Sequence, residues 1–119
     1  MPITEHQTGR TTRMVHEAIN RAIDFPESQV DIIGYSTMFP YTRDLILNEF
    51  RERGYICTIK QSRRSIYVVA TKSTIRFVAA ESDIRNHLEG IDGNNIFVDH
   101  AVRLDIEDAE FIKYIQTER

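Results

Sequence analysis

The chain has 119 residues, 41% of them hydrophobic and 28% charged, with a formal net charge of −3 at pH 7. This length and composition predict one soluble globular domain over residues 1–119, and the acidic balance argues against a general attraction to nucleic acid or membrane surfaces. Cys57 is the single cysteine, which excludes an internal disulfide, and no apolar run approaches the length of a membrane span. The first residues lack a signal-peptide pattern, so we expect a cytoplasmic protein.

The first half of the chain predicts a helix, a strand and a second helix. An apolar stripe at helical spacing marks the first helix, and Pro26 ends it because the residue before a proline disfavours helix. Gly54 takes the position of a left-handed C-terminal cap for the second helix. The three elements are a helix capped by Thr11 or Thr12, a buried strand over residues 30–35 and a helix over residues 41–53.

The second half predicts strands separated by polar turns, then a short helical turn, a last strand and a last helix. Polar turns between the first three of these strands favour antiparallel pairing. The predicted ranges are strands over residues 55–59, 65–71 and 74–80, a helical turn over 83–88, a strand over 95–99 and a helix over 106–115.

This order of elements predicts an α/β fold, a three-layer sandwich with a mainly parallel central sheet and an antiparallel hairpin at its edge. The strands around Ile33 and Phe97 are almost uniformly apolar, which is typical of strands covered on both faces. The hairpin region alternates more, and we therefore place it at the sheet edge.

One segment suggests a phosphate site: Thr8, Gly9, Arg10, Thr11 and Thr12. A glycine turn that opens a helix lets the backbone approach a phosphate, whose charge the free amides and the helix dipole then stabilise. Arg10 stands where such turns carry a lysine, and Thr11 stands where they carry a metal-binding hydroxyl. The alternative interpretation is an ordinary helix N-terminus with a hydroxyl cap.

A second segment suggests a metal site at the end of the strand over residues 95–99. A carboxylate at the position of Asp99 is placed to hold Mg²⁺ directly or through water. His100 follows, where a hydrolase usually has a glutamate that orients water, and a histidine can accept a proton near neutral pH. We therefore expect Mg²⁺ with ATP or another nucleotide, with Thr11 and Asp99 as metal ligands and His100 as the candidate catalytic base. A strand that simply ends in a polar turn is the alternative.

Residues 73–82, 83–90 and 95–101 together resemble the P-loop ATPase domain of phage DNA-packaging motors, the large terminase family. In that family, a strand of this kind, a turn bearing arginine and glycine, and an acidic strand end occur in this order. The resemblance extends over residues 8–102.

The resemblance implies a P-loop NTPase-like fold that lacks the first strand of the family. It also implies that Gly9 to Thr12 match the phosphate loop and that Asp99 matches the metal-binding acid. His100 replaces the family's catalytic glutamate, and the family's nuclease domain has no counterpart here. The chain is therefore expected to have residual NTPase activity at most and no packaging activity.

Three hypotheses of function follow. The first is a small phage-type P-loop-like protein of the host cytoplasm that binds a nucleotide or phosphate and acts through a protein partner or a homo-oligomer. The second is a non-enzymatic interaction module, for example a phage inhibitor of a host factor, whose orphan sheet edge accepts a strand. The third is nucleic-acid binding by Lys60, Arg63, Arg64 and Tyr67, against which the acidic net charge favours a solvated turn.

Overall fold

The structure is a computed structural model that describes residues 5–60 and 64–118, with side chains described for residues 9–60 and 64–117. Two 3-10 turns, Ser36–Met38 and Gly93–Asn95, precede α2 and β5. The helices and strands are α1 (Glu5–Asp24), β1 (Gln29–Gly34), α2 (Phe39–Glu52), β2 (Cys57–Lys60), β3 (Ser65–Val68), β4 (Ser73–Ala79), α3 (Ile84–Leu88), β5 (Ile96–Val98) and α4 (Ile106–Glu118).

The described strands form one sheet in the order β2-β3-β4-β1-β5. β1 pairs in parallel with β4 and β5, whereas β3 pairs in an antiparallel manner with β2 and β4. The α/β class and the antiparallel hairpin at the edge are thus confirmed. The sheet is mixed, with as many antiparallel as parallel pairings, because β4 belongs to both kinds.

Apolar side chains cover both faces of this sheet. One cluster joins α1 and α2 to the face that carries Ile32 and Phe77. The other joins α3 and α4 to the face that carries Ile33 and Val78. Successive residues of a strand point to opposite faces, so the largely apolar β1 supplies Val30 and Ile32 to one cluster and Ile33 to the other, as its sequence predicts.

α1 starts at Glu5, one turn before Gly9. The prediction of a glycine turn that opens this helix is therefore wrong, as is the prediction that Thr11 or Thr12 caps it. Glycine inside a helix costs only about 1 kcal/mol relative to alanine. Residues 5–8 contain no proline, so one glycine does not stop the helix from extending through them.

The direction of α1 decides what lies near its first turns. Near its C-terminal end, Ala22 accepts a hydrogen bond from Ser73 Oγ at the start of β4 (2.7 Å), and Arg21 donates to Asn95 just before β5. The helix therefore runs back over the sheet, and its first turns lie toward the C-terminal ends of the parallel strands. Ligands of open α/β sheets commonly bind just beyond the C-terminal ends of the parallel strands.

The remaining boundaries differ from the predictions by a few residues. The prediction for Gly54 is confirmed, since its φ of +85° follows directly on the end of α2. Within the part of the chain that the structure describes, no helix combines the length and the apolar character needed to cross a membrane.

Candidate functional site

A cavity of about 680 Å³ lies beside β5, between α1 and α4. Its volume is within the range of roughly 300–1,000 Å³ that is usual for ligand sites. The lining residues come from α1 (Arg10, Arg13, Met14, Glu17), from β5 and its flanks (Gly93, Asn94, Ile96, Phe97, Val98, His100) and from α4 (Gln116).

The α1 wall of the cavity is a single helical face. Arg10, Arg13, Met14 and Glu17 are spaced i, i+3, i+4 and i+7, which places them in one row along the helix. Arg10, Arg13 and Glu17 are exposed, and Met14 reaches the core. Among the described side chains, neither arginine forms an ion pair, so the wall presents two unpaired cations above one carboxylate.

The β5 wall is the outer edge of the sheet. The amide of Asp99 donates to the Ile33 carbonyl of β1 at 2.9 Å. The backbone amide and carbonyl of one residue in a strand point to the opposite side from those of the next residue. Because the Asp99 amide points toward β1, the amides and carbonyls of Ile96 and Val98 point away from β1. Gln116 Nε2 donates to the Ile96 carbonyl at 3.1 Å. No described strand pairs with that side of β5, so the amide and carbonyl of Val98 face the groove.

Asp99 and His100 follow β5 at this end of the site, where His100 lines the cavity and Asp99 does not. Asp99 is only 4% exposed, and its Oδ1 accepts the amide of Ala101 at 3.0 Å. His100 Nδ1 lies 3.3 Å from the same oxygen, a close contact without hydrogen-bond geometry. Neither imidazole nitrogen has a hydrogen-bond partner among the described residues, which leaves His100 a polar group at the cavity wall that no protein group satisfies.

The structure brings some of the predicted site residues together and not others. Arg10 and His100 line the same cavity. Thr11 is 3% exposed and belongs to the buried face of α1, while Thr12 is half-buried. Thr8 lies in α1, and its side chain is outside the described residues.

The helical conformation also removes the predicted phosphate cradle. Inside an α-helix each amide bonds to the carbonyl four residues earlier, so the amides from Gly9 to Thr12 are directed at residues 5–8 of α1. Only side chains of this segment remain to contact an anion. In the described part of the chain, no group of three or more His, Cys, Asp or Glu residues is placed to hold a metal ion.

Sequence reasoning missed four polar contributors to the cavity: Arg13, Glu17, Asn94 and Gln116. The three-residue spacing of Arg10 and Arg13 was a usable signal, because it places both on one helical face. No comparable signal exists for Gln116, whose position depends on how α4 docks.

The basic turn region is only partly described, because Arg63 lies outside the described residues. Lys60 Nζ stands 4.8 Å from the centre of the Tyr67 ring, and the Arg64 guanidinium stands 5.8 Å from that of Phe39. These cation–π contacts are internal to the hairpin and its neighbour α2. Lys60 and Arg64 therefore each have an aromatic partner within the protein, and their positions need no bound nucleic acid to explain them.

Comparison with known proteins adds no relative. No family model matches the chain, and neither the curated proteins nor the solved structures show a significant match. The resemblance to the terminase ATPase domain therefore stays a hypothesis that depends on the residues quoted for it.

Proposed function

We propose that this protein is a non-enzymatic interaction module that binds an extended segment of a partner protein as an added strand on the outer edge of β5. One observation carries the proposal: a cavity of about 680 Å³ runs along that edge, and α1 and α4 wall it on its two sides. An unpaired strand edge offers backbone hydrogen bonds to an incoming strand, and side pockets supply selectivity.

The chemistry of the cavity supports binding more than turnover. The backbone amides that would hold a phosphate are used within α1. Asp99 is buried and already accepts a hydrogen bond from Ala101. His100 is the remaining candidate base at this end, and a single histidine whose ring nitrogens are both buried is a poor base for hydrolysis. We place the protein in the cytoplasm, that of a host cell if a phage encodes it.

Val98 provides a sharp test of strand addition. Val98→Pro removes the outward amide, and proline is tolerated on the open side of an edge strand because no sheet hydrogen bond is lost there. Val98→Thr keeps the amide and the β-branched shape and is the matched control. We expect peptides selected from a random eight-residue library to bind the wild type and the threonine variant about equally, and to bind the proline variant roughly tenfold more weakly, because one main-chain hydrogen bond is lost.

Hydrogen exchange gives an independent measurement on the same proteins. A selected peptide should slow exchange at Val98 in the wild type while leaving the amides of β2 unchanged. If the selected peptides bind Val98→Pro as tightly as wild type, or if the library yields no binder, the edge is not the site and the proposal is rejected.

A second candidate is a nucleotide or phosphate site in the same cavity, favoured by the presence of Arg10, Arg13 and His100 along one lining. Guanidinium groups bind phosphate in a forked manner, and any Mg²⁺ would arrive with the nucleotide, because Asp99 is buried and does not line the cavity. The likeness to the P-loop fold and to the phage terminase family belongs with this candidate.

Calorimetric titration with ATP and GTP, with and without Mg²⁺, tests the second candidate. We expect binding that the double change Arg10→Ala/Arg13→Ala abolishes and that Val98→Pro leaves intact, because a phosphate does not need the strand edge. Absence of heat at millimolar nucleotide would eliminate this candidate and leave the first untouched.

A further inference from the structure

The charges along the β5 groove are ordered, and they constrain what the added strand carries. Arg21 contacts Asn95 at the start of β5, and Glu17 lies one helical turn nearer the N-terminus of α1. Arg13 and Arg10 follow at successive turns toward the end of β5. Along this row Glu17 therefore lies toward the start of β5, and the two arginines lie toward its end.

The basic end is reinforced from the loop after β5. Arg103 is exposed, and its Nη1 donates to the carbonyl of His100 at 3.1 Å. No described ion pair involves Arg10, Arg13 or Arg103, whereas Arg21 at the opposite end lies 3.9 Å from Asp92. Unpaired cations thus concentrate where the strand ends.

The middle of the groove is apolar. Met14 from α1 and Phe97 from β5 both line the cavity, and both also pack against the core cluster on that face of the sheet. An added strand presents alternate side chains to each face, so residues that face α1 meet methionine and phenylalanine in the centre and arginine at one end.

We infer that the occupant is an extended protein segment with an apolar residue at its centre and carboxylate side chains at the end that lies beside Arg10 and Arg13. This inference rests on the proposed function, since it names the chemistry of the segment that adds to β5. A second copy of this chain fits less well, because Ile96–Val98 brings no carboxylate and the following Asp99 is buried and engaged.

Three synthetic eight-residue peptides test the inference. All three share an alternating valine–threonine sequence and differ at their N-terminal end, which carries two glutamates, two glutamines or two lysines. A second set of three carries the same residue pairs at the C-terminal end. Labelled peptides are titrated in fluorescence anisotropy. We expect the glutamate peptide in one of the two placements to bind roughly tenfold tighter than the glutamine peptide, with the lysine peptide weaker still.

Charge reversal supplies the complementary measurement. Arg10→Glu/Arg13→Glu should invert the preference, so that the lysine peptide becomes the tightest binder. Arg43→Glu/Arg51→Glu, a matched reversal on α2 outside the cavity lining, should leave the preference unchanged. Thermal unfolding checks that both variants fold, and a fall in affinity of the glutamate peptide for the wild type with added salt gives a second readout that needs no variant.

The outcomes separate the inference from the proposed function. Equal binding of the three peptides, weakened in Val98→Pro, overturns the acidic partner and keeps strand addition. Binding by none of them overturns both. Sedimentation that shows a dimer of the wild type, dissociated by Val98→Pro, overturns the inference by making a second copy the occupant.

Discussion

Asp31 and Arg76 stand directly opposite each other on the paired strands β1 and β4. Arg76 donates to both carboxylate oxygens, from Nε at 3.1 Å and from Nη2 at 2.6 Å, and Asp31 is completely buried. Nη2 also donates to the carbonyl of His87 in α3, and Gln29 donates to Asp31. The pair therefore joins two strands and a helix through one guanidinium.

Removing one partner of this pair leaves a buried charge that the remaining groups satisfy poorly. We expect Arg76→Met to lower the free energy of unfolding by about 3–5 kcal/mol, measured by urea denaturation. The double change Asp31→Leu/Arg76→Met should recover much of that loss, because it removes the buried charge as well. Arg85→Met breaks an exposed contact with Glu107 and serves as the control with little effect. Equal losses for the single and double variants would contradict this account.

Cys57 offers a pH-dependent readout of the β2 edge. Burial raises the pKa of its thiol from 9.0 to about 11. At pH 8 the folded protein therefore holds about a hundredfold less thiolate than a free thiol, and the thiolate is the reactive form. We expect alkylation by iodoacetamide to be slower by about that factor in the folded protein than in urea.

The sign of the stability effect follows from the same shift. The folded state favours the neutral thiol, so its contribution to stability is complete below the unfolded pKa of 9.0 and is lost as the pH rises toward 11. Around neutral pH the free energy of unfolding should therefore not vary with pH on account of this group. Alkylation at equal rates in folded and unfolded protein would show that the thiol is not protected.

At the scale of the element, two glycines test how α1 and α4 are built. Gly9 lies inside α1 with open space where a Cβ would be, whereas a Cβ on Gly93 would come within 2.0 Å of the Ile115 carbonyl of α4. We expect Gly9→Ala to stabilise the protein by about 0.5–1 kcal/mol, because alanine favours helix. Gly93→Ala should destabilise it by about 1–3 kcal/mol, because helix α4 must move away.

Both changes are measured by thermal and urea unfolding, with circular dichroism as the signal. Loss of stability in Gly9→Ala would indicate a turn at this position and would support the phosphate-loop prediction again. A neutral Gly93→Ala would show that α4 is docked differently.

Local signals explain why most elements were predictable and the start of α1 was not. The apolar stripe of α1, the proline after it and the glycine after α2 each act within a few residues, so sequence reading places these elements correctly. Gly9 is an equally local signal and suggests a turn, but the residues before it are compatible with a helix, and α1 continues through them. Propensity at one residue is weaker than continuation of a helix.

At the scale of the whole molecule, the sequence predicts the α/β fold class but not the order of the strands in the sheet. The largely apolar sequence of β1 indicates burial on both faces, yet its place between β4 and β5 depends on pairings between distant segments. For the same reason the sequence predicts an orphan sheet edge without showing that β5 forms it. The cavity follows from that order, since α1 and α4 lie on opposite faces of the same terminal strand.

The outer edge of β5 is very short. The carbonyl of Ile96 already accepts a hydrogen bond from Gln116. Val98 is therefore the one residue of β5 whose amide and carbonyl are both available to a binding partner. Two main-chain hydrogen bonds contribute only about 1–3 kcal/mol in net terms. Any partner must therefore be held chiefly by its side chains. A complex held by these two hydrogen bonds alone should dissociate quickly.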